Sequence, residues 1–154
     1  MSADYKQLTK FQKQIEQLNN EQKQQFLEAC CKELAARLLA KVVKRTPSSS
    51  GVLRRGWTAG IKQNATDYAN SLNINKVADK YYIDIVNPVE YASYVEYGHR
   101  QTPGRYVPEL GKCLKQGWVE GKHMLSISES ELNNMSDAIL QKKLKNFMKE
   151  VFKI

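Results

Sequence analysis

The stretch NPVEYASYVEYGHRQTPGRYVPELGKCLKQGWVEGKHML, Asn87 to Leu125, decides how this chain is organised. It leaves a tyrosine-rich segment, crosses a basic loop punctuated by Gly98, Pro103, Gly104, Pro108, Gly111 and Gly117, and returns through Trp118 and Val119. Connections of that length without regular structure are uncommon in compact domains, and they usually carry function or become ordered on a partner. Tyr91, Tyr94, Tyr97, Tyr106 and Trp118 crowd the same region with Arg100 and Arg105. Aromatic residues and arginine are enriched in protein interfaces because they bury a large area while keeping a polar tip. A contact surface built from Tyr97, His99, Arg100, Arg105, Tyr106 and Trp118 is therefore expected. The alternative for Tyr94 and Trp118, that they complete the domain core, stays open at this level.

Working back toward the N-terminus, Tyr91, Tyr94, Val95 and Tyr97 are spaced for one or two helical turns, with Gly98 as a left-handed terminator. Glu90 and Glu96 read as solvated or salt-bridged rims of that turn. Asn87-Pro88 closes a strand over Tyr81 to Val86, which pairs as an antiparallel hairpin with a half-buried strand near Ser71 to Lys76 across Ala78-Asp79-Lys80. Gln63 to Ala69 reads as turn and loop. In VLRRGWTAGI, Leu53, Arg55, Trp57, Ala59 and Ile61 alternate with Val52, Arg54, Gly56, Thr58 and Gly60, predicting a strand interrupted at its glycines. Only one of Arg54 and Arg55 can face inward on such a strand.

The helices are clearer. Phe26, Cys30, Leu34, Leu38 and Val42 predict a long helix over Asn20 to Lys44, widened by Leu27, Cys31, Ala35 and Leu39; the Asn19-Asn20 pair, two favoured N-caps, either breaks or kinks the helical run ahead of it, and Thr46-Pro47 ends it. Ahead of it, Leu8, Phe11, Ile15 and Leu18 form one stripe of a helical extension over residues 1–19, leaving residues 20–154 as a single domain. At the other end, Ser126 to Glu129 has the S-x-x-E form of a capping box, followed by a helical face of Leu132, Met135, Ile139, Leu140, Leu144, Phe147, Val151 and Phe152. The predicted class is α+β: a small antiparallel sheet against a long N-terminal and a C-terminal helix, with a long extended loop.

The chain of 154 residues needs no disulfide or metal to hold a core. Cys30, Cys31 and Cys113 are odd in number and two are adjacent, which suits a reducing site of synthesis. No signal-peptide core and no apolar run of membrane-spanning length is present, so a soluble protein made in the cytoplasm is expected. The net charge of +8 is uneven. Lysines and arginines number 5 against 5 acids over residues 46–98, and 5 against 2 over residues 99–123. A basic nucleic-acid-binding domain, with Tyr97, Tyr106 and Trp118 as stacking groups, is thus a competing reading.

Catalytic and metal chemistry find little support. His99, Cys113 and His123 match no zinc-finger or ribbon spacing, and a hydrolase using His99 or His123 lacks an assembled constellation. The glycines fit neither phosphate-binding pattern, and no nucleophile elbow occurs. No enzyme activity, cofactor or metal is expected.

Two segments carry a resemblance. RTPSSSGVLRRGW, Arg45 to Trp57, is similar to a TP-x-x-x-G-x-L-R passage, and NPVEYASYVEYGHR, Asn87 to Arg100, to an N-x-x-x-Y-A-x-x-V-E-[YF]-G-[HT] passage, of phage neck or tail-completion proteins typified by the tenth gene product of a lambdoid coliphage. The ending Trp118 to Leu125 resembles the Gram-positive branch, which includes defective prophages and tail-like bacteriocins. The resemblance implies a structural protein assembling as a homo-oligomeric ring, a hexamer by the symmetry of the tail. That ring would lie between head connector and tail tube or terminator, with non-specific DNA contact in its channel and no membrane. It also implies that Thr46, Pro47, Gly51, Leu53 and Arg54 set a helix-to-strand corner. Tyr91, Ala92, Val95, Glu96, Tyr97 and Gly98 would dock the short helix and launch the loop. The chain departs from many such proteins in its helical extension over residues 2–18, which is expected to add a subunit contact.

Overall fold

The computed structural model describes residues 13, 16, 18–61 and 63–153. The expected N-terminal helix, with Leu8, Phe11 and Ile15, lies largely outside the described residues; Leu18, last of its stripe, is buried.

Helix α1 (Asn20–Arg45) starts where the Asn19 side chain accepts from the Gln22 amide at 2.7 Å while the Gln22 side chain accepts from the Asn19 amide, a reciprocal capping box. It ends at Thr46, whose extended backbone leads into Pro47. Three short segments follow: α2 (Val52–Gly56), α3 (Ala65–Ser71) and a hairpin of β1 (Asn75–Val77) with β2 (Lys80–Tyr82). Helix α4 (Ala92–Tyr97) then runs straight into β3 (Gly98–Arg100). Strands β4 (Tyr106–Val107), β5 (Lys112–Cys113) and β6 (Trp118–Glu120) precede the terminal helix α5 (Met124–Phe152). The class is α+β, and the sheet is divided into three two-stranded antiparallel ladders, β1 with β2, β3 with β6 and β4 with β5.

The core is where α1 meets everything else. Ala35, Leu39 and Val42 of α1 pack with Leu53 and Trp57 around α2, Ala69 of α3 and Met124 of α5. Leu39 is fully buried, worth roughly 1.5–3 kcal/mol of transfer free energy. The predicted seam is shifted: Ala35 and Leu39, placed at its margin, are more deeply buried than Leu34 and Leu38. Helices α1 and α5 lie antiparallel, since Arg45 and Lys41 meet Glu131 near the start of α5, whereas Phe26 stacks on Phe147 near its end with ring centroids 4.6 Å apart.

Four sequence expectations are corrected. Val52 to Ile61 is not a strand: α2 and a following turn bury Leu53, Gly56 and Trp57, a helical spacing hidden inside the apparent alternation. Thr46 decides this. Its hydroxyl donates to the Val42 carbonyl at 2.6 Å and accepts from the Trp57 indole nitrogen at 2.8 Å, while its carbonyl accepts from the Arg54 guanidinium at 2.8 Å. Arg54 thus turns inward and Arg55 outward, without any strand. The corner of Thr46, Pro47, Gly51, Leu53 and Arg54 accordingly joins helix to helix, with Gly51 left-handed at φ 76°.

The expected loop at Gln63 to Ala69 is largely α3, capped by the Asn64 side chain, which accepts from the Asp67 amide at 2.8 Å. Ala65, Tyr68 and Ala69 of that helix face the core. The hairpin forms but is shorter than expected, turning at Ala78-Asp79, and residues 83–89 belong to no strand. Finally, α5 begins at Met124, ahead of the anticipated capping box. Ser126 and Glu129 do not cap each other, and the carboxylate that serves the helix start comes from α4.

Candidate assembly interface

The segment that reads as a long loop is a hairpin arm. At its root β3 pairs with β6, placing His99 opposite Val119 and Arg100 opposite Trp118; toward its tip β4 pairs with β5, placing Tyr106 opposite Cys113. Between the two ladders, Gln101 donates to the Gly117 carbonyl at 2.9 Å, Gly104 to the Leu114 carbonyl at 2.8 Å and Leu114 to the Arg105 carbonyl at 2.9 Å. A single 3-10 turn, Pro108–Leu110, and a left-handed Gly111 close the tip. The backbone polar groups of a long basic segment thus find partners within the segment itself, which is why it needs no other element to lie on.

The arm has no core. No residue from Arg100 to Lys122 is buried, and Tyr106 and Leu110 are 59% and 57% exposed. An isolated two-stranded hairpin is marginal in water, so its rigidity must come from its root. There Gly98 and Gly121 let two backbones touch. A side chain on Gly98 would run into the Val119 carbonyl, and one on Gly121 would lie 2.6 Å from the Tyr97 carbonyl carbon. Gly98 has positive φ as expected, but its ψ of 173° is extended, so it launches a strand instead of closing a left-handed cap.

Glu96 is the second fastening, and here the structure corrects the expected solvated rim. It is 5% exposed, and its carboxylate accepts from the Leu125 amide at 2.9 Å, the Ser126 amide at 3.0 Å and the Ser126 hydroxyl at 2.6 Å. A negative charge here sits on the positive end of a 29-residue helix. Burial alone would raise its pKa. The Leu125 amide, the Ser126 hydroxyl and amide and the charge of His123 outweigh that and hold it below the ordinary glutamate value. The backbone continues the clamp, with Lys122 donating to the Val95 carbonyl at 2.7 Å and His123 to the Glu96 carbonyl at 3.0 Å.

The candidate contact residues fall on one continuous feature. Tyr91, Tyr94 and Tyr97 on or beside α4 and Trp118 on β6 are exposed around the arm's root, so Tyr94 and Trp118 do not complete the core. Arg100 and Arg105 are exposed along the arm. His99 is half-buried, its ring 5.7 Å from that of Tyr94, its Nε2 3.4 Å from the Gln101 side-chain nitrogen, and its Nδ1 buried with no hydrogen-bond partner among the described residues. Ala92 and Val95 pack against the core instead. Cys113 near the tip stands apart from His99 at the root, and among the described residues no three His, Cys, Asp or Glu side chains group as metal ligands.

Three participants escaped the sequence reading. Gly121 mates with Gly98, and Leu110 crowns the tip. Asn87 donates to the Leu53 carbonyl at 2.8 Å in a space open only because residue 56 is glycine. The W-V-E-G run could have signalled the first, since glycine at a strand end marks close backbone approach.

The chain is thus a two-helix frame carrying a clamped, self-paired β-arm, and comparison with protein families places it. Residues 9–98 match the family described as "Bacteriophage HK97-gp10, putative tail-component". That match spans more than half of the 154 residues, and the chain belongs to this family of phage tail components. Comparison with curated proteins and with solved structures finds no significant match. Among the described residues no helix is long and apolar enough to cross a membrane.

Proposed function

We propose that this chain is a non-enzymatic structural protein of a phage or phage-tail-like particle, forming a homo-oligomeric ring at the head-proximal end of the tail. It would act in tail completion or head–tail joining, as a hexamer that meets the tail tube or terminator on one side and the head connector on the other. The observation that carries this reading is the arm: an exposed hairpin with cations, aromatic side chains and no core, fastened at its root by Glu96 and the Gly98–Gly121 crossing. A monomer gains nothing from stiffening the root of a bare arm, whereas a ring uses it to set the position of the next subunit. Tyr97, His99, Arg100, Arg105, Tyr106 and Trp118 are assigned to subunit contact.

Light scattering after size exclusion, with electron microscopy of the same fractions and of purified tail particles, tests it. Rings in either preparation support the proposal. A strict monomer at high concentration that is also missing from tail particles, and that binds single-stranded DNA with steep salt dependence, overturns it in favour of a nucleic-acid-binding role.

A further inference from the structure

A second surface feature lies apart from the arm. Between the N-terminal half of α1, strand β2 and the middle turns of α5 there is an open groove of about 620 Å³. Its walls are mostly apolar, with Phe26, Leu27, Leu34, Tyr82 and Leu144 contributing. Leu27, Tyr82 and Leu144 are each more than two-fifths exposed, so apolar side chains there are open to a partner. No arm residue lines this groove. Leu140 of α5, which lines it, is 16 residues beyond the helix start at the arm's root, or roughly 24 Å at 1.5 Å per residue.

We propose that the groove receives the arm tip of a second copy of this chain, with Leu110 and Tyr106 as the inserted side chains. Charge selects this occupant. From Arg100 to Trp118 the arm carries Arg100, Arg105, Lys112 and Lys115 against Glu109 alone, whereas the groove presents Asp79 and Asp137 against Lys80. Among the described residues none of Asp79, Asp137, Arg105, Lys112 and Lys115 is in an ion pair, so both sets of charges are free to meet. A projecting apolar tip and a distant apolar receptacle on one chain make a heterologous, head-to-tail contact, the kind that closes into a ring when the rotation allows. The inference rests on the ring reading and supplies its contact.

The native cysteines provide the test. Cys113 lies beside the tip and Cys31 lines the groove. A short bismaleimide applied to the assembled species, ring or tail particle, is expected to join chains head to tail into a ladder that runs past the dimer. Cys113→Ser or the double change Cys30→Ser with Cys31→Ser abolishes it. Leu27→Cys paired with Cys113 covers the case in which partial burial slows Cys31. Leu110→Asp is expected to weaken self-association about tenfold or more without unfolding the chain. Assembled particles that give no ladder with either pairing overturn the groove as receptor and leave the ring standing. Dimers that persist without Cys30 and Cys31, or adducts confined to one chain, overturn it too. Absence of any assembly overturns the ring reading itself.

Discussion

Ser126 meets the Glu96 carboxylate with both its backbone amide and its hydroxyl, at 3.0 and 2.6 Å, across a sequence separation of 30 residues. The whole arm is contained between those two residues. One side chain therefore caps the terminal helix and closes the base of the hairpin, coupling the stability of the frame to the position of the arm.

Because the Glu96 pKa is depressed in the folded state, its contribution is present above the unfolded value and fades as pH falls below the ordinary glutamate value of 4.5. Glu96→Ala is expected to lower stability by about 2 kcal/mol and the thermal midpoint by roughly 4–8 °C at neutral pH. Glu96→Gln is expected to flatten the acid limb of the stability profile. Urea titrations of both variants between neutral pH and pH 3 would measure this, and an acid limb unchanged in Glu96→Gln would contradict it.

Thr46 should tolerate serine and reject valine. Valine keeps the shape but strips the acceptor from the Trp57 indole N–H, in a site where Trp57 is only 4% exposed. The expected loss is about 1–3 kcal/mol for Thr46→Val, against under about 1 kcal/mol for Thr46→Ser. Denaturant midpoints, with near-ultraviolet circular dichroism of the tryptophans, separate the two.

Three glycines of the arm region should respond differently to alanine. Gly98 combines φ of +84° with an extended ψ that is essentially confined to glycine, and both Gly98 and Gly121 abut backbone atoms. Gly98→Ala and Gly121→Ala are each expected to destabilise by about 2 kcal/mol or more and to abolish assembly. At Gly104 the φ is +83°, but nothing lies within 4 Å of an added methyl, so Gly104→Ala should lose only about 1–2 kcal/mol of local conformational energy. Thermal melts paired with light scattering would reveal the contrast.

Trypsin provides a readout of the arm in its two settings. Arg100, Arg105, Lys112 and Lys115 are all exposed on a segment without a core, so early cleavage of the unassembled chain should fall there. Assembly should slow those cuts at least roughly tenfold if the arm is engaged by a neighbour. Mass spectrometry of the first fragments, before and after assembly, measures it; equal rates in the two states would refute the arm's engagement.

The sequence alone determined the elements whose causes are local. The Asn19 cap and apolar spacing defined α1, Thr46-Pro47 defined its end, and the Phe147 face defined α5, because caps, prolines and helical periodicity act within a few residues. The family motifs were likewise local strings. What stayed hidden was set by distant partners. Leu53 and Gly56 are helical and Trp57 turns inward because Thr46 and Asn87 hold them so, and Glu96 is a buried cap instead of a solvated acid because Ser126 returns to meet it. Glycine, tryptophan and glutamate at those positions are compatible with more than one local conformation. Tertiary hydrogen bonds and close backbone approaches, worth a few kcal/mol each, choose among them only after the chain has closed on itself.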